Sequence, residues 1–313
     1  MGRIILNRLV TAIPVLFLMT VITYLLVSLI PGNAAIVILG QDATPEKIAA
    51  LSAQMHLDQP FYVQWWYWLR GASHGDFGTS LYSGISVLKL LSQRIMPTVF
   101  VAGLATIFGA VVGVIIGAWA AVKRGAVAKT LDTLAMVGIA LPNFWFALLL
   151  VVFVAGRLHI LPPLGYVPIQ DGFGEWLRHM ILPVLALGLA GVAIIAKQTR
   201  DSMSEALSRD FMRFLQANGF SRRSLIYKHA PRYAAMPIFA AMVGSFVNLF
   251  GGTVALESIF ALPGLGSMVV TATTQRDLVV IQGAVLAYTV IVLLATLVGD
   301  LVNVMLNPKL RTR

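Results

Sequence analysis

The sequence predicts an all-α polytopic membrane protein: about six transmembrane helices, an extracytoplasmic insertion between the first two, and a short helix on a cytoplasmic loop. Three observations predict it. Of 313 residues, 58% are hydrophobic and only 12% are charged, where a soluble domain carries roughly 25% charged residues. So few charges do not cover a water-facing surface. The charges are also clumped between long apolar runs, the pattern of spans joined by polar connections. Finally, the runs do not alternate apolar with polar residues, which argues against a transmembrane barrel. A backbone in hydrocarbon must then close its hydrogen bonds as helix.

The first run, 9–30, follows Arg3 and Arg8 and is 22 residues long. That exceeds the roughly 7–15 residues of a signal-peptide core. It suffices to cross about 30 Å of hydrocarbon at 1.5 Å per residue, so 1–30 reads as an N-terminal segment with a retained span. Residues 31–96 form the insertion. In it, Thr44 followed by Pro45 reads as an N-cap and first helical residue, and Ile48, Leu51 and Met55 share one helical face. Phe61, Tyr62, Trp65, Trp66, Tyr67 and Trp68 read as a helix at the outer interface. It is either an anchor or an element that touches an external partner.

A core of five further spans occupies 97–306: 97–122, 131–156, 181–196, 233–256 and 281–306. Of the six, 181–196 is the shortest. Gly109, Gly113 and Gly117, four residues apart, leave a bare stripe along which another helix packs closely. Pro142 and Asn143 interrupt the third span. The proline frees a carbonyl and the asparagine hydrogen-bonds across helices, as a kink satisfied by its neighbours or as a polar rung. The outer connection 257–280 contains Leu262-Pro263-Gly264-Leu265-Gly266, which is incompatible with an ordinary helix interior. It is expected to dip briefly into the membrane or to cap a pore mouth. Residues 307–313 form a tail.

Placing the N-terminus inside leaves 16 of the 23 Lys and Arg residues on that side and 7 on the other. The bias predicts both termini in the cytoplasm. The net charge of +10 and pI of about 10.1 read as this topology signal and as attraction to anionic lipid. Nothing resembles a nucleic-acid motif. With no cysteine, disulfides and thiolate chemistry are excluded. The five histidines form no HExxH or close cluster, so no metal site is predicted. No GxSxG elbow is present, and no catalytic residue is assigned. The run 125–130 lacks a glycine directly before Lys129 and is one residue short of a phosphate loop. The chain is therefore expected to bind no cofactor and to hydrolyse no ATP. Asp132 and Asp300 sit near predicted cytoplasmic ends, so the mid-membrane carboxylates of ion-coupled transporters are missing.

The cytoplasmic connection 197–232 carries half of the inner basic charge. Within it, Asp210 reads as an N-cap and Gly219 as a C-terminal stop, enclosing about 12 Å of helix. Phe211, Phe214 and Leu215 share one face. A helix this short is unstable alone, so its apolar face must dock, on its own protein or on a soluble partner.

Motifs along almost the whole chain now combine: Ile30-Pro31-Gly32, Leu57-Asp58-Gln59-Pro60, Gly75-Asp76-Phe77-Gly78-Thr79-Ser80, Leu141-Pro142-Asn143-Phe144-Trp145, Ala217-x-Gly219, Pro263-Gly264-Leu265-Gly266, Arg276-Asp277 and Asn307-Pro308. Together they resemble the peptide/nickel class of ABC importer permeases, which includes dipeptide, oligopeptide and glutathione systems, and specifically its first (B-type) permease subunit. The resemblance implies that the short helix is a coupling helix seated on an ATPase subunit, with Asp210, Phe211, Arg213, Phe214, Gln216, Ala217, Asn218 and Gly219 at the contact. Asn143, Asn248 and Glu257 are the candidate polar residues of a translocation path. The resemblance also implies short peptides as cargo, with nickel or metal chelates and glutathione as alternatives. The implied partners are a second homologous permease forming a heterodimer, two ATP-binding subunits that carry the ATP and Mg, and an extracytoplasmic solute-binding protein. Asn218 stands where this class commonly has lysine, and Leu262 where it has tryptophan. A secondary transporter or channel acting alone is the rival class.

Overall fold

The computed structural model describes residues 2–29, 34–54, 57–123, 130, 133, 135–138 and 140–306, and their regular structure is helical. In chain order the helices are α1 (Gly2–Ser28), α2 (Ala34–Leu39), α3 (Pro45–Gln54), α4 (Phe61–Ser73), α5 (Val87–Val122) and α6 (Asn143–Leu150). They continue as α7 (Phe173–Ser208), α8 (Asp210–Ala217), α9 (Arg222–Ser224), α10 (Ala230–Ile259), α11 (Leu265–Gln275) and α12 (Leu278–Leu306). A π segment, Val151–Arg157, extends α6, and another, Leu225–His229, joins α9 to α10.

Among the described residues, five stretches are long and apolar enough to cross a membrane: Ile5–Ser28, Val87–Val122, Phe173–Ser208, Arg222–Ile259 and Leu278–Met305. The third expected span, 131–156, lies partly outside the described residues. The helix ends before Pro142, which is extended (φ −63°, ψ 126°), and restarts at Asn143. The proline thus makes a break rather than a kink. By contrast Pro14, Pro97, Pro183 and Pro237 all lie inside long helices. Met55, Asp132, the run 124–129 and the tail 307–313 lie outside the described residues.

The expected span ends were too short. α5 begins ten residues before 97, and α7, expected over 181–196, runs for 36 residues, about 54 Å. Much of the expected loop 197–232 is therefore helix. Hydropathy marks the part of a helix that lipid solvates, whereas i→i−4 hydrogen bonds continue wherever side chains permit, including Lys197–Ser208 with its polar residues.

The chain divides into two compact units. One holds Val99–Leu262 and the end of the chain from Ala295. Its core gathers Val101, Ala105, Met180, Leu187, Leu249 and Phe260. The glycine stripe of α5 lies against α7. A β-carbon added at Gly109 would stand 3.0 Å from the Gly191 carbonyl carbon, at Gly113 2.9 Å from the Val192 oxygen, and at Gly117 2.3 Å from the Ala196 oxygen. Close approach of two backbones gains dispersion contact where lipid offers no hydrophobic drive.

The other unit holds Ile5–Thr98 and Pro263–Leu294. Thr44 caps α3 as expected: Lys47 N donates to its Oγ1 (3.4 Å). The aromatic helix α4 turns Trp65 and Trp68 inward. Trp65 Nε1 donates to Thr20 Oγ1 of α1 (3.2 Å) and Trp68 Nε1 to the Phe77 carbonyl (3.3 Å), while Tyr62, Trp66 and Tyr67 stay exposed. Gln282 Nε2 donates to the Thr20 carbonyl (2.8 Å). Two motif segments far apart in sequence meet at Asp277, which precedes α12. Its Oδ2 accepts from Ser80 Oγ (2.5 Å) and its Oδ1 from Val280 N (3.3 Å), capping the helix. Gly78 is required beside them: it has φ +79°, and a β-carbon there would stand 2.8 Å from Val279 Cγ1. The Pro-Gly stretch opens α11, whose first free N–H, that of Leu265, donates to Thr98 Oγ1 (2.8 Å).

Candidate functional site

The connection between α7 and α10 carries the site. Arg209 leaves α7 in extended backbone (φ −67°, ψ 147°) and α8 begins with the next residue. Asp210 is therefore the first helical residue and not the N-cap, because Arg209 holds the capping conformation. Its carboxylate still lies in the first turn, at the positive end of the helix dipole. The other end closes as a Schellman motif: Gly219 N donates to the Gln216 carbonyl (3.1 Å) and Phe220 N to the Leu215 carbonyl (3.2 Å). Gly219 takes φ +86° there, a conformation a β-carbon disfavours. Asn218 is the C-cap, and its Nδ2 donates to the Phe214 carbonyl (2.8 Å).

The eight-residue helix does not bury the face expected from Phe211, Phe214 and Leu215. It is seated by Met212, 2% exposed, with half-buried Leu215 beside it. Met212 packs in a cluster with Ile195, Met203, Ala206, Leu225 and Ala230. Phe214 is left 68% exposed and Phe211 41% exposed. Arg213, Gln216, Ala217, Asn218 and Gly219 are exposed as well. Arg213 pairs with Asp210 at 3.7 Å, an exposed contact of little energetic weight.

Three residues that no sequence motif singled out, Glu205, Arg209 and Tyr233, meet at the junction of α7 and α8. Arg209 pairs with Glu205 one turn back, and its guanidinium lies over the Tyr233 ring (5.7 Å to the centroid). The Glu205 hydrogen bond, followed by the charges of Tyr233 and Glu205, pushes the Arg209 pKa above its ordinary value. Tyr233 in turn lies against Phe211, with ring centroids 5.7 Å apart. The Glu205–Arg209 spacing of four was a readable signal; the meeting with Tyr233 was not. Past α8, Phe220 sets its edge on the His229 ring (5.4 Å). The π segment that contains His229 widens the entry to α10, a feature frequent at functional positions.

The three polar residues assigned to a path have different surroundings. Asn143 opens α6, half-buried, with its Nδ2 3.6 Å from where a β-carbon on Gly252 of α10 would stand. Asn248, one turn earlier on α10, is exposed, whereas Glu257 is buried. Its carbonyl accepts from Leu262 N (2.8 Å) and so turns the chain toward the Pro-Gly stretch. What these parts can do is mechanical: a short, firmly capped helix with a bare aromatic rides on the end of a long span.

Residues 113–312 match the family described as binding-protein-dependent transport system inner membrane component, and residues 1–100 match its N-terminal counterpart. The chain is 36% identical over 312 residues to the "Probable peptide ABC transporter permease protein" of Sinorhizobium fredii, covering 99% of this chain and 100% of that one. It is 36% identical over 308 residues, 98% of each chain, to a glutathione transport system permease protein of Salmonella typhimurium. Its backbone resembles a chain of the methionine ABC transporter in an inward-facing form. The TM-score is 0.56 at 15% identity, with 70% of this chain and 97% of that chain covered. At that identity the likeness is one of fold.

Proposed function

Because the chain belongs to the family of binding-protein-dependent transport system inner membrane components, we propose a mechanism for it as the permease subunit of an ATP-binding-cassette importer. It is a multi-pass membrane permease of that importer class. The cargo in our reading is a short peptide, in line with the S. fredii relative. The relative named for glutathione, itself a tripeptide, is equally similar and makes glutathione the second reading. An extracytoplasmic solute-binding protein delivers the cargo. A homologous second permease completes the conduit, and two separate subunits bind ATP and Mg.

The exposed apolar surface of α8 carries the reading. Phe214 is a large side chain held bare on a helix that Met212 fixes to the bundle. In our mechanism Phe214, with Phe211, Gln216 and Ala217, enters a cleft on the ATPase subunit. The end fixed by Arg209, Glu205 and Tyr233 passes the ATPase motion to α7 and α10 as a rigid body. ATP drives the change because it binds one state of the assembly better than the other. Asn143, Asn248 and Glu257 line the path in this reading, and both termini face the cytoplasm.

Reconstitution in proteoliposomes tests it. Uptake of a radiolabelled peptide by the full assembly is expected to require the ATP-binding subunits and ATP. Uptake that persists without those subunits overturns the mechanism. The ligand co-purifying with the cognate binding protein decides between a general peptide and glutathione.

A further inference from the structure

A cleft of about 780 Å³ opens where the ends of α5 and α7 meet α8 and α9. Its lining is mixed: Lys123, Arg200, Arg213 and Arg222 contribute basic groups, and Leu207, Met212 and Ile226 contribute apolar ones. None of the described residues that line it is a carboxylate. Asp210, 3.7 Å from Arg213, offsets part of that one charge. Lys123, Arg213 and Arg222 bring positive charge to one concavity, and an anion that enters is attracted to it. Guanidinium and ammonium groups together suit phosphate oxygens. The volume lies in the range that takes a ligand of several hundred daltons.

The apolar lining residues narrow the choice. A free phosphate gains nothing from Leu207 and Ile226, whereas the glycerol and upper acyl carbons of a lipid do. The cleft lies at the ends of two spans, on the side read above as cytoplasmic. Headgroups of anionic lipids attract juxtamembrane cations there. We propose that this cleft binds the phosphate headgroup of an anionic phospholipid, with Lys123 and Arg222 as its principal contacts, and that the bound lipid braces α8 against the bundle. The placement at headgroup level rests on the orientation given under Proposed function.

The test uses the assembled transporter in nanodiscs of mixed phosphatidylglycerol and phosphatidylcholine, with native mass spectrometry counting retained phosphatidylglycerol. Lys123→Gln and Arg222→Gln are each expected to lower retention by roughly five-fold. Both side chains are exposed, so neither change should disturb folding. Arg178→Gln, which removes a surface ion pair with Glu175 on the first turns of α7, is expected to leave retention unchanged. Retention indifferent to both cleft substitutions overturns the site. A parallel arm titrates inorganic phosphate into phosphatidylcholine nanodiscs. Phosphate binding lost in the same two variants would overturn the lipid assignment in favour of a soluble phosphate. The counts are made without nucleotide, so the lipid site can fail while ATP-driven uptake stands.

Discussion

At Gly117 one methyl group decides whether two helices keep their spacing. A β-carbon there would stand 2.3 Å from the Ala196 carbonyl oxygen and 2.7 Å from Thr199 Cβ. Neither is the free end of a flexible side chain, so the helices must part. Gly117→Ala is therefore expected to destabilise the chain by about 1–3 kcal/mol, as overpacking does. The nearest contacts relax to 2.9 Å at Gly113 and 3.0 Å at Gly109, and Gly103 has nothing within 4 Å. The effect should fall in the order 117, 113, 109, and Gly103→Ala on the same helix should be neutral or slightly stabilising, since alanine is the better helix former. Midpoints of thermal unfolding in detergent check the order. Equal midpoints for the 117 and 103 variants would refute the close approach. The stripe was readable because a repeat of four is a property of one helix. Its partner was not, because no residue of α5 records which helix lies opposite.

At the scale of the element, α8 separates two roles that its sequence blends. The residues at 211, 214 and 215 make one plausible apolar face and those at 212 and 215 make another; amphipathicity alone does not say which is seated and which is offered. The structure seats Met212. Met212→Ala is expected to lower stability by about 2–5 kcal/mol, the cost of truncating a buried side chain. Phe214→Ala should leave stability within about 0.5 kcal/mol, as exposed substitutions do, yet abolish ATP-driven uptake by the reconstituted assembly. Wild-type uptake in the Phe214 variant would remove α8 from the coupling path. Asp277 shows the opposite limit of legibility. Its family motif was visible, but its contact with Ser80, 197 residues away, is a product of folding. Asp277→Asn weakens a buried charge-assisted hydrogen bond and is expected to cost about 1.5–3 kcal/mol. Ser80→Ala added to it should cost little more, because both changes cut the same contact. A thermal double-mutant cycle measures that coupling, and simple additivity would show that the two residues act apart.

For the molecule as a whole, the open quantity is the number of crossings, and the natural lack of cysteine makes it measurable. Between Tyr67 on α4 and Phe214 on α8 lie α5, the interrupted segment that ends with Asn143–Arg157, and α7. α5 and α7 are each long enough to cross. Asn143–Arg157 is short, about 22 Å at 1.5 Å per residue, and spans only if the helical residues before Pro142 complete it. Hydropathy marks this segment as a span because composition is indifferent to a break in hydrogen bonding, which is also why it does not show the break. If the segment crosses, the chain traverses the membrane three times between the two positions, and they lie on opposite sides. If it does not, they lie on the same side. Tyr67 is 61% exposed and Phe214 68%, so a single cysteine at either is reachable. Tyr67→Cys is expected to react with a membrane-impermeant maleimide added outside intact spheroplasts, and Phe214→Cys only after permeabilisation. Labelling of both from one side would make the number of crossings between them even. Because 16 of the 23 basic residues fall inside only when all six crossings are counted, loss of this one crossing would leave 8 on the side of the N-terminus and 15 on the other, and the charge bias would then orient the chain the opposite way.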